Sequence, residues 1–132
     1  MDEKTNEIEI APPTVVRAAG RDFAAALAET PQFKAFEQAY VALKNDAVAH
    51  QSLSAYQVKV KSLREVLALN AISEAERAEL ERLKTDYLML PSVEAYNNAE
   101  AELTILCQQA AGIISSAIGI NYAAACGASC CG

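Results

Sequence analysis

Apolar side chains recur along most of this chain at steps of three and four residues, with polar residues filling the positions between. The clearest run lies near the end, at Tyr96, Ala99, Leu103, Leu106, Ala110, Ile113, Ala117 and Ile120. Alternating steps of three and four mark the seam of a helix packed lengthwise against partners. Shorter stripes of the same kind precede it. They are Val16, Ala19, Phe23, Ala26 and Leu27; then Phe33, Phe36, Tyr40 and Leu43; then Leu53, Tyr56, Val60, Leu63 and Leu67; then Leu80, Leu83, Tyr87 and Leu90. No stretch alternates residue by residue, and no glycine-rich hairpin signal occurs. The pattern predicts an all-α protein of about five helices, a helical hairpin or bundle with coiled-coil-like packing and a long C-terminal helix.

Capping residues set the boundaries. Thr14 is placed to cap a first helix running to about Glu29. Thr30-Pro31 restarts the chain, with Thr30 as N-cap and Pro31 where its missing N–H costs nothing. Asp46 caps a third helix that reaches about Asn70. After the turn Asn70-Ala71-Ile72, Ser73 and Glu76 form a capping box, and Pro91 opens the last helix, which continues to about Asn121. The expected organisation is a flexible acidic leader over 1–13, a helical domain over 14–122 and a Cys/Gly tail over 123–132.

The last helix is unusual in length and in charge. Thirty residues make a rod of about 45 Å at 1.5 Å per residue, longer than a compact chain of 132 residues covers alone. No charged side chain follows Glu102, whereas a surface helix carries charges on its outer face. The helix is therefore expected to be mostly covered, part of it by another subunit.

Composition narrows the function classes. Seventeen acidic residues against eleven basic give a net charge of -6, a poor match for phosphate backbones, so direct nucleic-acid binding is not expected. The charge-free run Ala110 to Cys126 is rich in Ala, Gly and Ser, contains Asn121 and lacks a Lys/Arg flank. That argues against a membrane span. With no apolar core behind the N-terminal Met1-Asp2-Glu3-Lys4, the expected location is cytoplasmic. In that compartment four cysteines point to thiols or metal ligands rather than disulfides.

Signals of catalysis are sparse. His50 is the only histidine and has no serine or cysteine tied to it by motif. Glu74, Glu76, Glu79 and Glu81 lie among Arg77, Arg82 and Lys84 as solvated helix pairs, and no phosphate-cradling glycine motif occurs. The chain is not expected to be an enzyme. Cys107, inside the last helix, reads as a small buried hydrophobe. Cys126, Cys130 and Cys131 differ, being three thiols within six residues separated by small ones. Thiolates hold zinc and iron–sulfur clusters. Structural zinc takes four ligands, usually in paired units, so a cluster completed by other chains fits three thiols better. An inert tail and a modified one stay open beside that reading.

Residues 14 to 122 resemble the YlbF/YmcA family. The likeness is carried by Arg17 through Phe33, by Phe36-Glu37-Gln38-Ala39-Tyr40 through Asp46, by Leu83-Lys84-Thr85-Asp86-Tyr87, and by the proline-started segment Pro91 to Leu103. The resemblance implies an all-α cytoplasmic bacterial regulator of sporulation, competence and biofilm formation that oligomerises through its helices. It implies homo-oligomers, or hetero-oligomers with family paralogues and a YaaT-like protein, assisting RNA processing by RNase Y. It also implies that cysteines near the C-terminus, here Cys126, Cys130 and Cys131, ligate an iron–sulfur cluster of the [4Fe-4S] type. The alternative is a plain helical oligomerisation module with an inert or post-translationally modified tail.

Overall fold

A computed structural model describes residues 12–126. Those residues form seven helices and no strand: α1 (Pro13–Ala28), α2 (Pro31–Lys44), α3 (Ala47–Ser62), α4 (Arg64–Ala68), α5 (Glu74–Leu88), α6 (Pro91–Ile118) and α7 (Tyr122–Ala125). The all-α expectation holds. The leader falls outside the described residues except at its last two positions.

The arms of a hairpin account for the contacts. Helix α2 packs along α6 and α3 along α5, while α4 and the loop after it make the bend. Each arm is broken once, at Asn45–Asp46 on the outgoing side and Met89–Leu90 on the return. The two breaks lie at the same level, because the Ser92 hydroxyl donates to Asp46 Oδ2 at 2.5 Å. Val93 and Ala49, each 1% exposed, sit beside that bond in sequence. Phe36 meets Tyr96 one step further along, ring centroids 5.5 Å apart.

Local chemistry explains most helix ends. Thr30 Oγ1 accepts from the Phe33 N–H at 3.2 Å and donates to the Leu27 carbonyl at 2.6 Å, tying α1 to α2. Asp46 Oδ1 accepts from the Val48 and Ala49 N–H groups. Ser73 and Glu76 close the expected capping box. Thr14 does not cap. Helix α1 begins at Pro13, whose ring presets a helical φ, and Pro12 stands at the N-cap with no side-chain bond.

Two boundaries differ from the sequence expectation. The third helix does not run on to Asn70. Ser62 turns its hydroxyl back onto the Lys59 carbonyl at 2.7 Å, a bond that bends helices. The N–H of Leu63 is then shared among the Lys59, Lys61 and Val60 carbonyls. Leu63, 6% exposed, is the third buried residue, so the kink seats an apolar side chain at the hairpin tip. The last helix ends at Ile118, because Gly119 takes a left-handed φ of 73° and stops it.

Helix α4 closes with a Schellman motif. Asn70 adopts φ 51°, its N–H bonding the Leu67 carbonyl and the next N–H bonding Val66. A left-handed residue with a β-carbon other than Asn or Asp costs about 1–2 kcal/mol. Asn70→Ala is therefore expected to lose about 1 kcal/mol, and Asn70→Gly to lose nothing, both read by urea denaturation at one fixed protein concentration.

Candidate functional site

Two features of the described residues go beyond making the hairpin: the apolar faces it leaves uncovered, and the mount that carries the first cysteine of the tail. The faces follow from the lengths of the elements. Helix α2 spans 14 residues and α6 spans 28, so α2 reaches only about the first half of α6. Past Leu103 α6 leaves Ile105, Ile113 and Ile118 exposed, Ile113 at 72%, and Ile120 just beyond its end is exposed too. The last helix was expected to be mostly covered. Within the chain it is not, and none of its most apolar stretch is buried.

Helix α1 shows the same condition. Every residue from Pro13 to Ala26 is exposed. Of the expected stripe, Val16, Ala19, Phe23 and Ala26 are exposed, Phe23 at 48%, and only Leu27 is half-buried. Its main neighbour is α2, at their junction.

At the far end of α6 the chain doubles back. The Ser115 hydroxyl accepts from the Tyr122 N–H at 3.0 Å, and Asn121 caps the short α7 by accepting from Ala124 at 3.1 Å. Helix α7 thus rests on α6, beside an open groove lined by Gln108, Ala111, Gly112 and Ser116. Cys126 sits at the C-terminal end of this mount and is exposed. Cys130 and Cys131 lie outside the described residues. Cys107, expected to be buried, is half-buried within α6. Among the described residues no three His, Cys, Asp or Glu side chains gather as a metal site.

The remaining chemistry belongs to the joint between the arms. Asp46 is held below the usual carboxylate range, chiefly by the Ser92 hydroxyl, then by the Ala49 N–H, with smaller help from the Val48 N–H and the nearby His50. His50 Nε2–H donates to the Lys44 carbonyl at 2.8 Å, satisfying the end of α2. That bond gives the histidine a structural task. Arg82 bridges Glu79 at 2.7 Å and Asp86 at 3.0 Å on the exposed face of α5. This is the solvated pairing expected of that helix, and pairs so exposed contribute little.

A family model described as control of competence regulator ComK, YlbF/YmcA, matches residues 16–119. The match takes in α1 to α6 almost whole. The chain belongs to the YlbF/YmcA family. It is thus a helical regulator of the kind associated with control of competence. No curated protein and no solved structure matches the chain.

The sequence pattern identifies Cys126 and the apolar stripes but not the Asp46–Ser92 bond. Nothing local announces a bond between residues 46 positions apart.

Proposed function

We propose that this YlbF/YmcA-family regulator acts as a non-enzymatic adaptor in the cytoplasm. It works inside a multi-protein complex that supports RNA processing by RNase Y, alongside paralogues and a YaaT-like protein. The observation that carries the adaptor reading is the uncovered apolar surface of α1 and distal α6. Only Ala49, Leu63 and Val93 are buried among the described residues. A chain with that little core gains most by burying these faces against other chains. By length and composition α6 also passes as a membrane span. Glu94, Glu100 and Glu102 in its first half, and Gln108, Gln109, Ser115 and Ser116 beyond them, favour protein contact instead.

The tail extends the proposal to an iron–sulfur cluster. Cys126 fits a ligand role: its exposed thiol sits on a mount fixed by Ser115, and thiolate is the ligand type such clusters take. Cys126, Cys130 and Cys131 would hold the group, with the remaining ligand from another chain. The cluster would supply redox-sensitive cross-linking of the subunits. The test is anaerobic reconstitution of the complex followed by iron analysis and visible absorption. Replacing Cys126, Cys130 and Cys131 together by serine is expected to abolish the absorption and the bound iron. Iron content that ignores the three substitutions contradicts the metal part and leaves a plain oligomerisation module.

A further inference from the structure

Positive charge collects near the hairpin tip in a chain of net charge -6. No Asp or Glu occurs between Asp46 and Glu65, and the end of that interval holds Lys59, Lys61 and Arg64. The three cations are not equivalent. Glu79 of α5 is held below the usual carboxylate range chiefly by its Arg82 hydrogen bond, and the Lys59 charge adds to that. Lys59 thus has a counter-charge on the other arm. Lys61 and Arg64 are exposed, and among the described residues neither comes within ion-pair distance of an acidic side chain. Cations in the last turn of a helix stabilise its carbonyl end, which accounts for Lys59 and Lys61. Arg64 opens α4, and a helix start favours anions instead.

Lys61 and Arg64 border a notch of about 370 Å³ whose other walls are Tyr56, Gln57 and Val60. Tyr56 and Val60 are half-buried and Gln57 is exposed. All five belong to α3 and the first residue of α4. A straight helix is convex all round, so a hollow lined by one run of chain needs a bend. The kink at Ser62–Leu63 supplies it, held by the Ser62 hydroxyl on the Lys59 carbonyl and by the buried Leu63. The notch therefore combines a half-buried ring and a half-buried aliphatic side chain with one amide and two cations that have no use inside the chain.

We propose that this notch docks an acidic peptide segment of a partner protein, one in which carboxylates neighbour an apolar side chain. The carboxylates meet Lys61 and Arg64, a charge-assisted contact in which the guanidinium can hold both oxygens. The apolar neighbour covers Tyr56 and Val60, and Gln57 can bond the peptide backbone. Nucleic acid fits less well, because a phosphate backbone needs a run of cations and the net charge of -6 repels a long polyanion. Charge alone is also insufficient, since exposed ion pairs in water contribute little without apolar contact beside them. The notch lies by the bend of the hairpin, at the other end from α1 and the distal half of α6. A partner held there leaves those faces free. The inference goes beyond the adaptor reading, and neither the cysteines nor RNA processing enters it.

Fluorescence anisotropy of the full chain with a labelled Glu-Glu-Leu-Glu-Glu-Leu peptide tests it, beside a Glu-Glu-Ser-Glu-Glu-Ser peptide and an oligouridine of the same net charge. Wild type is expected to bind the leucine peptide with a Kd below about 200 µM at low salt, and the serine peptide at least about fivefold more weakly. Lys61→Gln and Arg64→Gln are each expected to raise the Kd at least about fivefold, while Arg64→Lys, which keeps the charge, stays within about twofold. Lys44→Gln removes the same charge from the end of α2 and is expected to change nothing. A wild-type Kd above about 1 mM overturns the proposal. So does equal weakening by Lys44→Gln, equal affinity for the serine peptide, or tighter binding of the oligouridine, which would make the site one for phosphates.

Discussion

Val93→Ala is expected to destabilise the chain by about 2–3 kcal/mol, lowering the thermal midpoint by roughly 6–12 °C at fixed protein concentration. Val93 is 1% exposed at the start of α6 and is the largest fully buried side chain among the described residues. Truncating it removes buried apolar surface and leaves a gap where α6 meets the start of α3. The loss is disproportionate because the described core has only two other buried members, Ala49 and Leu63. Ala49→Leu probes the buried residue near the Asp46 end of the Asp46–Ser92 bond. Overpacking there is expected to cost about 1–3 kcal/mol. Chemical denaturation of both variants checks the pair, and near-wild-type stability in both would place the packing centre elsewhere.

Asp46→Ala is the second large expected effect, a fall of roughly 5–10 °C in the thermal midpoint. One carboxylate performs two tasks here. Oδ1 caps α3 through Val48 and Ala49, and Oδ2 accepts the Ser92 hydroxyl from the other arm. Alanine removes the cap and the cross-arm bond together. Asp46→Asn keeps an acceptor for the cap and loses the charge, so its loss is expected to be smaller. The folded-state pKa of Asp46 is depressed below 3.8. Its contribution is therefore fully present above about pH 4, and it fades as pH falls through the lower, folded value. Wild type is expected to lose stability below pH 4 more steeply than Asp46→Asn. Parallel acid titrations followed by circular dichroism would refute the assignment if the two curves kept the same slope.

The joint shows why part of the fold was legible in the sequence and part was not. Caps act over three residues, so Thr30, Asp46 and Ser73 could be read directly. The break at Leu63 depends on the Ser62 hydroxyl choosing the Lys59 carbonyl over solvent. That competition leaves no mark on the apolar spacing, which runs through Leu63 to Leu67 without a skip. Spacing also says which face of a helix is apolar but not what covers it. The seam through Ile113, Ala117 and Ile120 was correct as a pattern, yet within this chain those residues stay exposed. Cys126 was legible as a candidate ligand from its neighbours in sequence. Its mount was not, because it depends on Gly119 reversing the chain and on Ser115 catching the Tyr122 N–H.

The central claim is that α1 and the distal half of α6 exist to be covered by another chain. Hydrogen exchange of the α1 amides, followed by mass spectrometry across a dilution series, tests it most directly. An isolated helix of this length protects its amides poorly. The account predicts strong protection over residues 13–26 at concentrations where the protein is assembled, falling towards free exchange on dilution while α3 and α5 keep theirs. Protection of α1 that stays the same at every concentration would show that the chain covers the helix by itself, and would contradict the account.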